Sequence, residues 1–77
     1  MADWNVEAKL LLKAELARKG VSYKVLVTRL DSIGVVDTEG AISNKISRGK
    51  FSFAFFLQCM RVLGVETVRV AERNSKE

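Results

Sequence analysis

A chain of 77 residues with a net charge of +4, one Cys and no His is limited in what it can be. At this length a single domain hides only about 60% of the surface that its unfolded chain exposes, which excludes a large catalytic cleft. One Cys excludes an intrachain disulfide scaffold, and without His the sequence offers no argument for a metal site or any other cofactor.

Caps and hydrophobic periodicity predict two helices in the first half of the chain. Asp3 is a suitable N-cap for a helix over residues 4–19, and Gly20 can end it. Ser22 is the N-cap of a second predicted helix over residues 23–33, which Gly34 ends. The side chains predicted to be buried recur at helical spacing and are Leu12, Leu16, Leu26, Leu30 and Ile33.

A connection and a short polar helix come next. Val35 and Val36 are expected to pack inward, and Thr38 is a candidate N-cap for a third helix over residues 39–47 that Gly49 closes. On a helical wheel Ile42 and Ile46 form its buried side. The opposite side is polar and small, which leaves it available for binding.

The apolar run FSFAFFLQCM predicts a fourth helix over residues 53–63, which Ser52 caps and Gly64 ends. Phe55 and Val62 lie outside the predicted buried face and are expected to contact a partner or the first helix. Cys59 is expected to be a small core residue rather than a reactive thiol. The predicted buried face is Phe53, Phe56, Leu57, Met60 and Leu63.

The segment Val65 to Ala71 alternates β-branched with polar residues, which predicts a short C-terminal strand. A lone strand must pair, so Val68 and Val70 are candidate dimerisation residues in a two-stranded ribbon formed with a second copy. The alternative is a frayed tail. The predicted organisation is therefore a helical domain over residues 1–65 and a strand-like segment with a polar tail over residues 66–77.

The net charge is concentrated in the middle of the chain. The stretch from Gly40 to Arg61 contains four basic residues, Lys45, Arg48, Lys50 and Arg61, and no acidic residue, whereas the other nine Lys and Arg are balanced by nine Asp and Glu. A local positive field of this kind indicates a polyanionic partner.

Short motifs along the chain resemble the helix-turn-helix of the lambda-repressor-like, or Xre-type, DNA-binding domains. The motifs are Gly20-Val21-Ser22, Ile42-Ser43, Arg48-Gly49-Lys50 and Leu63-Gly64-Val65. More narrowly, LKAELARKGVSY, ISNKISRG and FFLQCM are similar to a small bacterial family of unassigned function. The resemblance implies an all-α fold, a compact four- to five-helix bundle that contains the helix-turn-helix. The chain departs from the pattern of these domains at two places. The connection from Gly34 to Ile42 is about two residues longer than usual, and Tyr23 stands at a position where Gln is typical.

In such a domain the helix over residues 39–47 would lie in the DNA major groove. Donors and acceptors for base edges would come from Ser43, Asn44 and Ser47, and of these the Asn44 amide is suited to adenine. The residues expected to contact phosphates are Ser22, Tyr23, Lys24, Lys45, Arg48 and Lys50.

These features favour a cytoplasmic regulator of transcription that binds double-stranded DNA as a homodimer, with no membrane segment and no small-molecule substrate. The alternative is a protein-interaction or oligomerisation module on the same fold, which Glu39 at the start of the third helix favours. An enzyme is not expected, because the chain has no His, no Gly-rich phosphate loop and no Cys/His pair.

Overall fold

A computed structural model of the chain describes residues 3–70 and shows four α-helices and no strand among them. Helix α1 spans Trp4–Lys19, α2 spans Tyr23–Asp31, α3 spans Glu39–Arg48 and α4 spans Phe53–Leu63. Helices α1 and α2 each pack against both α3 and α4. The predicted all-α bundle is confirmed. Within the described range no helix combines the length and the hydropathy needed to cross a lipid bilayer.

Each helix begins at the cap residue that the sequence predicted. The Asp3 carboxylate accepts hydrogen bonds from the amides of Asn5 and Val6, at 3.0 and 3.3 Å. The hydroxyl oxygens of Ser22, Thr38 and Ser52 each accept from the amide three residues ahead, at 3.0 to 3.2 Å. A satisfied N-cap is worth about 1 kcal/mol, so these local contacts fix where the helices start.

The ends of two helices differ slightly from the prediction. Helix α2 ends at Asp31 rather than Ile33, because its last turn tightens: the Ile33 amide donates to the Leu30 carbonyl at 3.0 Å, three residues back. Gly34 then adopts the left-handed conformation, with φ +84°, and reverses the chain. Helix α3 extends one residue beyond the prediction, to Arg48.

The core lies where all four helices meet. Leu12 of α1, Leu26 and Leu30 of α2, and Ile42 and Ile46 of α3 are fully buried, as predicted. Two predictions for this region were wrong: Ile33 is 44% exposed, since it follows the end of α2, and Val36 is 81% exposed. Only Val35 of the Val35-Val36 pair packs against the core.

Helix α4 buries only part of the predicted face: Met60 and Leu63 are buried as predicted, and Phe56 is half-buried. Phe55, Cys59, Met60 and Leu63 are buried, whereas Phe53 and Leu57, predicted to be buried, are mostly exposed. The helix is apolar on nearly every side, so periodicity alone does not select a face. The choice is made by the packing of α1 and α2, which cover the Phe55–Cys59–Leu63 row.

The predicted C-terminal strand is absent from residues 65–70, and Ala71 lies outside the described residues. A strand needs a neighbour for its backbone groups, and the described chain supplies none. The β-branched residues Val65 and Val68 pack against the helical core instead. Core packing therefore continues beyond residue 65.

Cys59 is fully buried on α4 and is a core residue, as the sequence predicted. Removal from water raises the pKa of its thiol from 9.0 to about 12, although the nearby charge of Lys45 opposes this rise. A thiol with so high a pKa stays protonated and unreactive at neutral pH.

Burial of the Cys59 thiol is expected to lower the unfolding free energy at alkaline pH. Because the thiol ionises near 9.0 in the unfolded chain and near 12 in the folded one, it contributes fully below pH 9, and its contribution decreases as the pH rises towards 12. Between about pH 8 and about pH 10 we expect a loss of about 1.4 kcal/mol of unfolding free energy that a Cys59→Ala variant lacks. Urea unfolding followed by circular dichroism measures both proteins, and parallel pH profiles would contradict the assignment.

Candidate nucleic-acid interface

The exposed side of α3 forms a shallow depression together with the turn that follows the helix. Gly40, Asn44 and Arg48 lie in one row along α3, at steps of four residues, and the depression is completed by Ala41, Lys45 and Lys50. The fully buried Ile42 and Ile46 lie on the opposite side of the helix and fix its rotation. The row therefore faces solvent.

Of the three predicted base-reading residues, the structure places only Asn44 in this depression. Its side chain is exposed, and the neighbouring Gly40 and Ala41 leave the surface around it low. Ser47 lies to one side, where its hydroxyl donates to the carbonyl of Asn44 at 3.2 Å. Ser43 is half-buried and lies outside the depression. Of the three, Asn44 is thus the one that is exposed within the depression.

Lys45 has partners within the domain. Its Nζ lies 3.3 Å from Oδ2 of Asp37 and 4.5 Å from the centre of the Phe55 ring. The ion pair links α3 to the loop that precedes it, and the contact with the Phe55 ring links α3 to α4. Part of the Lys45 charge is therefore neutralised inside the domain. Sequence reasoning missed this role, because Asp37 is eight residues away in a loop whose path local patterns do not determine.

Arg48 and Lys50 carry the uncompensated charge of the depression. Both are exposed, and the only ion pairs among residues 3–70 are Arg18 with Glu15 and Lys45 with Asp37. The turn between them is held by Gly49, which is buried, has φ +66° and approaches the backbone of Asn5 in α1. Two exposed cations thus flank a turn that packs against α1.

The residues at the start of α2 that were predicted to contact phosphates lie away from the depression. The Ser22 hydroxyl accepts from the Val25 amide, Tyr23 packs against the core and Lys24 is exposed. None of the three lines the depression. The guanidinium of Arg29, further along α2, donates to the carbonyl of Val62 at 3.2 Å, so it links α2 to α4.

The two predicted dimerisation residues lie on another surface. Val68 is half-buried and Val70 is 84% exposed, and both line an apolar groove of about 550 Å³. The groove is lined by residues of α1, of α4 and of the non-helical segment over residues 65–70, and it includes Phe53 and Leu57. Sequence reasoning missed the groove, although FSFAFFLQCM has more apolar residues than one helix face can bury. The groove and the depression have no lining residue in common.

Comparison with known proteins assigns the chain to a family. The chain belongs to the family described as a domain of unknown function, DUF6471, which matches residues 4–68. No curated protein and no solved structure is significantly similar to the chain.

Proposed function

Because the family description names no function, we propose one from the site: the domain binds double-stranded DNA through the exposed side of α3 and acts as a small regulator of transcription in the bacterial cytoplasm. The observation that carries the proposal is the depression in which Asn44 lies beside Arg48 and Lys50. An amide suited to a base edge and two cations suited to phosphates share one exposed surface.

The shape of this surface supports the proposal. A major groove about 12 Å wide admits an α-helix whose exposed side is not bulky. Gly40 and Ala41 bring the backbone of α3 close to the surface, and Asn44, one turn further, can reach the N6 and N7 atoms of adenine. Arg48 and Lys50 follow at the C-terminal end, where they would meet the sugar-phosphate backbone.

The order of elements agrees with the resemblance to lambda-repressor-like domains. Helix α2, the loop over residues 32–38 and helix α3 are followed by the basic turn and by α4, which packs against α2. In that arrangement α2 lies across the DNA backbone and α3 enters the groove. A domain of this size makes few contacts alone, so we infer that a homodimer reads two half-sites.

The test of this proposal is the salt dependence of binding. A dimer that neutralises six to eight phosphates is expected to show a log-log slope of affinity against salt of about −5 to −7. Fluorescence anisotropy with a labelled random duplex, measured from low to physiological salt, gives this slope. An affinity that does not change with salt, or no binding at low salt, would contradict DNA binding.

The alternative is a protein-interaction module that uses the same face of α3. Glu39 at the first turn of α3 favours it, because a carboxylate there is repelled by phosphates, and the partial neutralisation of Lys45 by Asp37 also favours it. On this alternative, DNA is not retained, and substitution of Arg48 and Lys50 abolishes capture of an acidic protein partner.

A further inference from the structure

The apolar groove is a surface that DNA binding through α3 does not use. It is lined by Ala8 and Leu11 of α1 and by Phe53 and Leu57 of α4. Val68 and Val70 of the non-helical segment that follows α4 also line it. Glu66 is the only charged side chain among the described residues that line it. The lining formed by the described residues is thus almost free of charge, in a chain with a net charge of +4.

Three phenylalanine rings that line the groove stack on one another. The ring of Phe56 stacks between those of Phe51 and Phe53, with centroid distances of 6.5 and 6.3 Å and interplanar angles of 9° and 20°. Phe53, at the outer end of this row, is 73% exposed. The surface therefore carries both a concavity and a projecting ring. A twofold contact uses the same surface on both copies, so the projecting ring of each copy can enter the concavity of the other.

The exposed area is close to what a dimer needs. Phe53, Leu57 and Val70 are 73%, 51% and 84% exposed, which amounts to on the order of 400 Å² of apolar surface. A standard interface takes about 800 Å² from each partner, of which roughly 57% is apolar. The apolar surface of the groove is therefore close to the apolar share of one side of a standard interface. The largest apolar patch on a typical monomer covers about 300–600 Å² and often has a function, so this groove is a candidate for contact with another molecule.

The charges on the non-helical segment over residues 65–70 favour one orientation of the two copies. Glu66 and Arg69 are both exposed and lie on either side of Thr67 and Val68. When two such segments run antiparallel about a twofold axis near residues 67 and 68, Glu66 of each copy lies close to Arg69 of the other. A parallel arrangement would place like charges together, which is unfavourable.

We propose that the groove is the self-association surface of this protein, in which a second copy docks with its Phe53 and Leu57 against the same groove and with the segments 65–70 antiparallel. The proposal is carried by the groove and holds whether or not α3 binds DNA. In this dimer the two copies are held together by packing of side chains and not by the predicted β-ribbon. It also leaves both α3 helices uncovered, because the depression lies outside the groove.

The first experiment measures the mass of the whole chain in solution without DNA, by sedimentation equilibrium from about 1 μM to about 1 mM. We expect a monomer–dimer equilibrium, and a Phe53→Asp/Leu57→Asp variant is expected to weaken it by about 100-fold while its circular dichroism stays helical. The matched control is Val36→Asp, an exposed apolar residue that does not line the groove. A monomer throughout the range, or equal dimers in all three proteins, would overturn the proposal.

The second experiment tests the orientation with exchanged charges. E66R and R69E are each expected to weaken the homodimer, since like charges then face each other in both contacts. An equimolar mixture of the two single variants is expected to restore a heterodimer, because every facing pair is again opposite in charge. Failure of the mixture to associate would overturn the antiparallel arrangement. Both readouts are independent of DNA, so they are distinguishable from a failure of the proposed function.

Discussion

Replacement of Gly49 by Ala is expected to lower the unfolding free energy by about 3 kcal/mol, for two separate reasons. With φ +66° the position is left-handed, which costs an Ala residue about 1 kcal/mol more than Gly. A Cβ there would also overlap the carbonyl oxygen of Asn5 and come within 2.7 Å of the carbonyl carbon, so α1 and α3 would have to separate. Overpacking of this kind costs about 1–3 kcal/mol.

Gly20→Ala is the matched control for this prediction. Gly20 has nearly the same φ, +68°, and also ends a helix, but a Cβ at Gly20 meets no atom within 4 Å. We expect a loss of about 1 kcal/mol, a fall in melting temperature of roughly 4–8 °C, and two to three times that fall for Gly49→Ala. Thermal and urea unfolding by circular dichroism compare the two variants. Equal losses would mean that α1 does not rest on the turn at Gly49.

Removal of the two uncompensated cations, in an Arg48→Gln/Lys50→Gln variant, is expected to weaken DNA binding by roughly 100-fold at low salt. In the proposed complex, each copy would give up two phosphate contacts. The log-log salt slope should become shallower by about 1.8 for each copy, and therefore by about 3.6 for a dimer. Stability should change little, because among the described residues neither side chain forms an ion pair. Anisotropy titrations at several salt concentrations measure both quantities.

A Lys13→Gln/Lys19→Gln variant is the control for charge. It removes the same two charges from exposed positions on α1 that line neither the depression nor the groove. The control is expected to keep the slope and to lose only a small part of the affinity through the weaker long-range field. If both double variants lose the same affinity, binding depends on net charge alone and the depression is not the contact surface.

The features that the sequence predicted correctly are local ones. Asp3, Ser22, Thr38 and Ser52 cap their helices because an N-cap depends only on the next three residues, and the glycine stops are equally local. The buried stripe of α3 was predictable because Ile42 and Ile46 are the only large apolar residues of that helix. For the same reason, the row that contains Asn44 was predictable as the exposed side.

The features that local patterns did not reveal depend on tertiary contacts. Helix α4 is apolar on several sides, so only its packing against α1 and α2 decides that Phe55 is buried and that Phe53 is exposed. The pairing of Lys45 with Asp37 and Phe55 needs the loop and α4 to be in place. Likewise, the stretch 65–70 has the composition of a strand and yet forms none, because residues 3–70 supply no strand to pair with it. Val65 and Val68 pack against the core instead.

The approach of Gly49 to Asn5 has a practical consequence for protein engineering. The first turn of α1, which the Asp3 cap holds in place, is the support on which the basic turn rests, although the two are more than forty residues apart in sequence. A shortened form that begins at Trp4 would lose that cap, and a bulky fusion joined rigidly at this point would push on the same support. Recombinant versions of the protein are therefore best extended at the N-terminus through a flexible linker that leaves Asp3 intact.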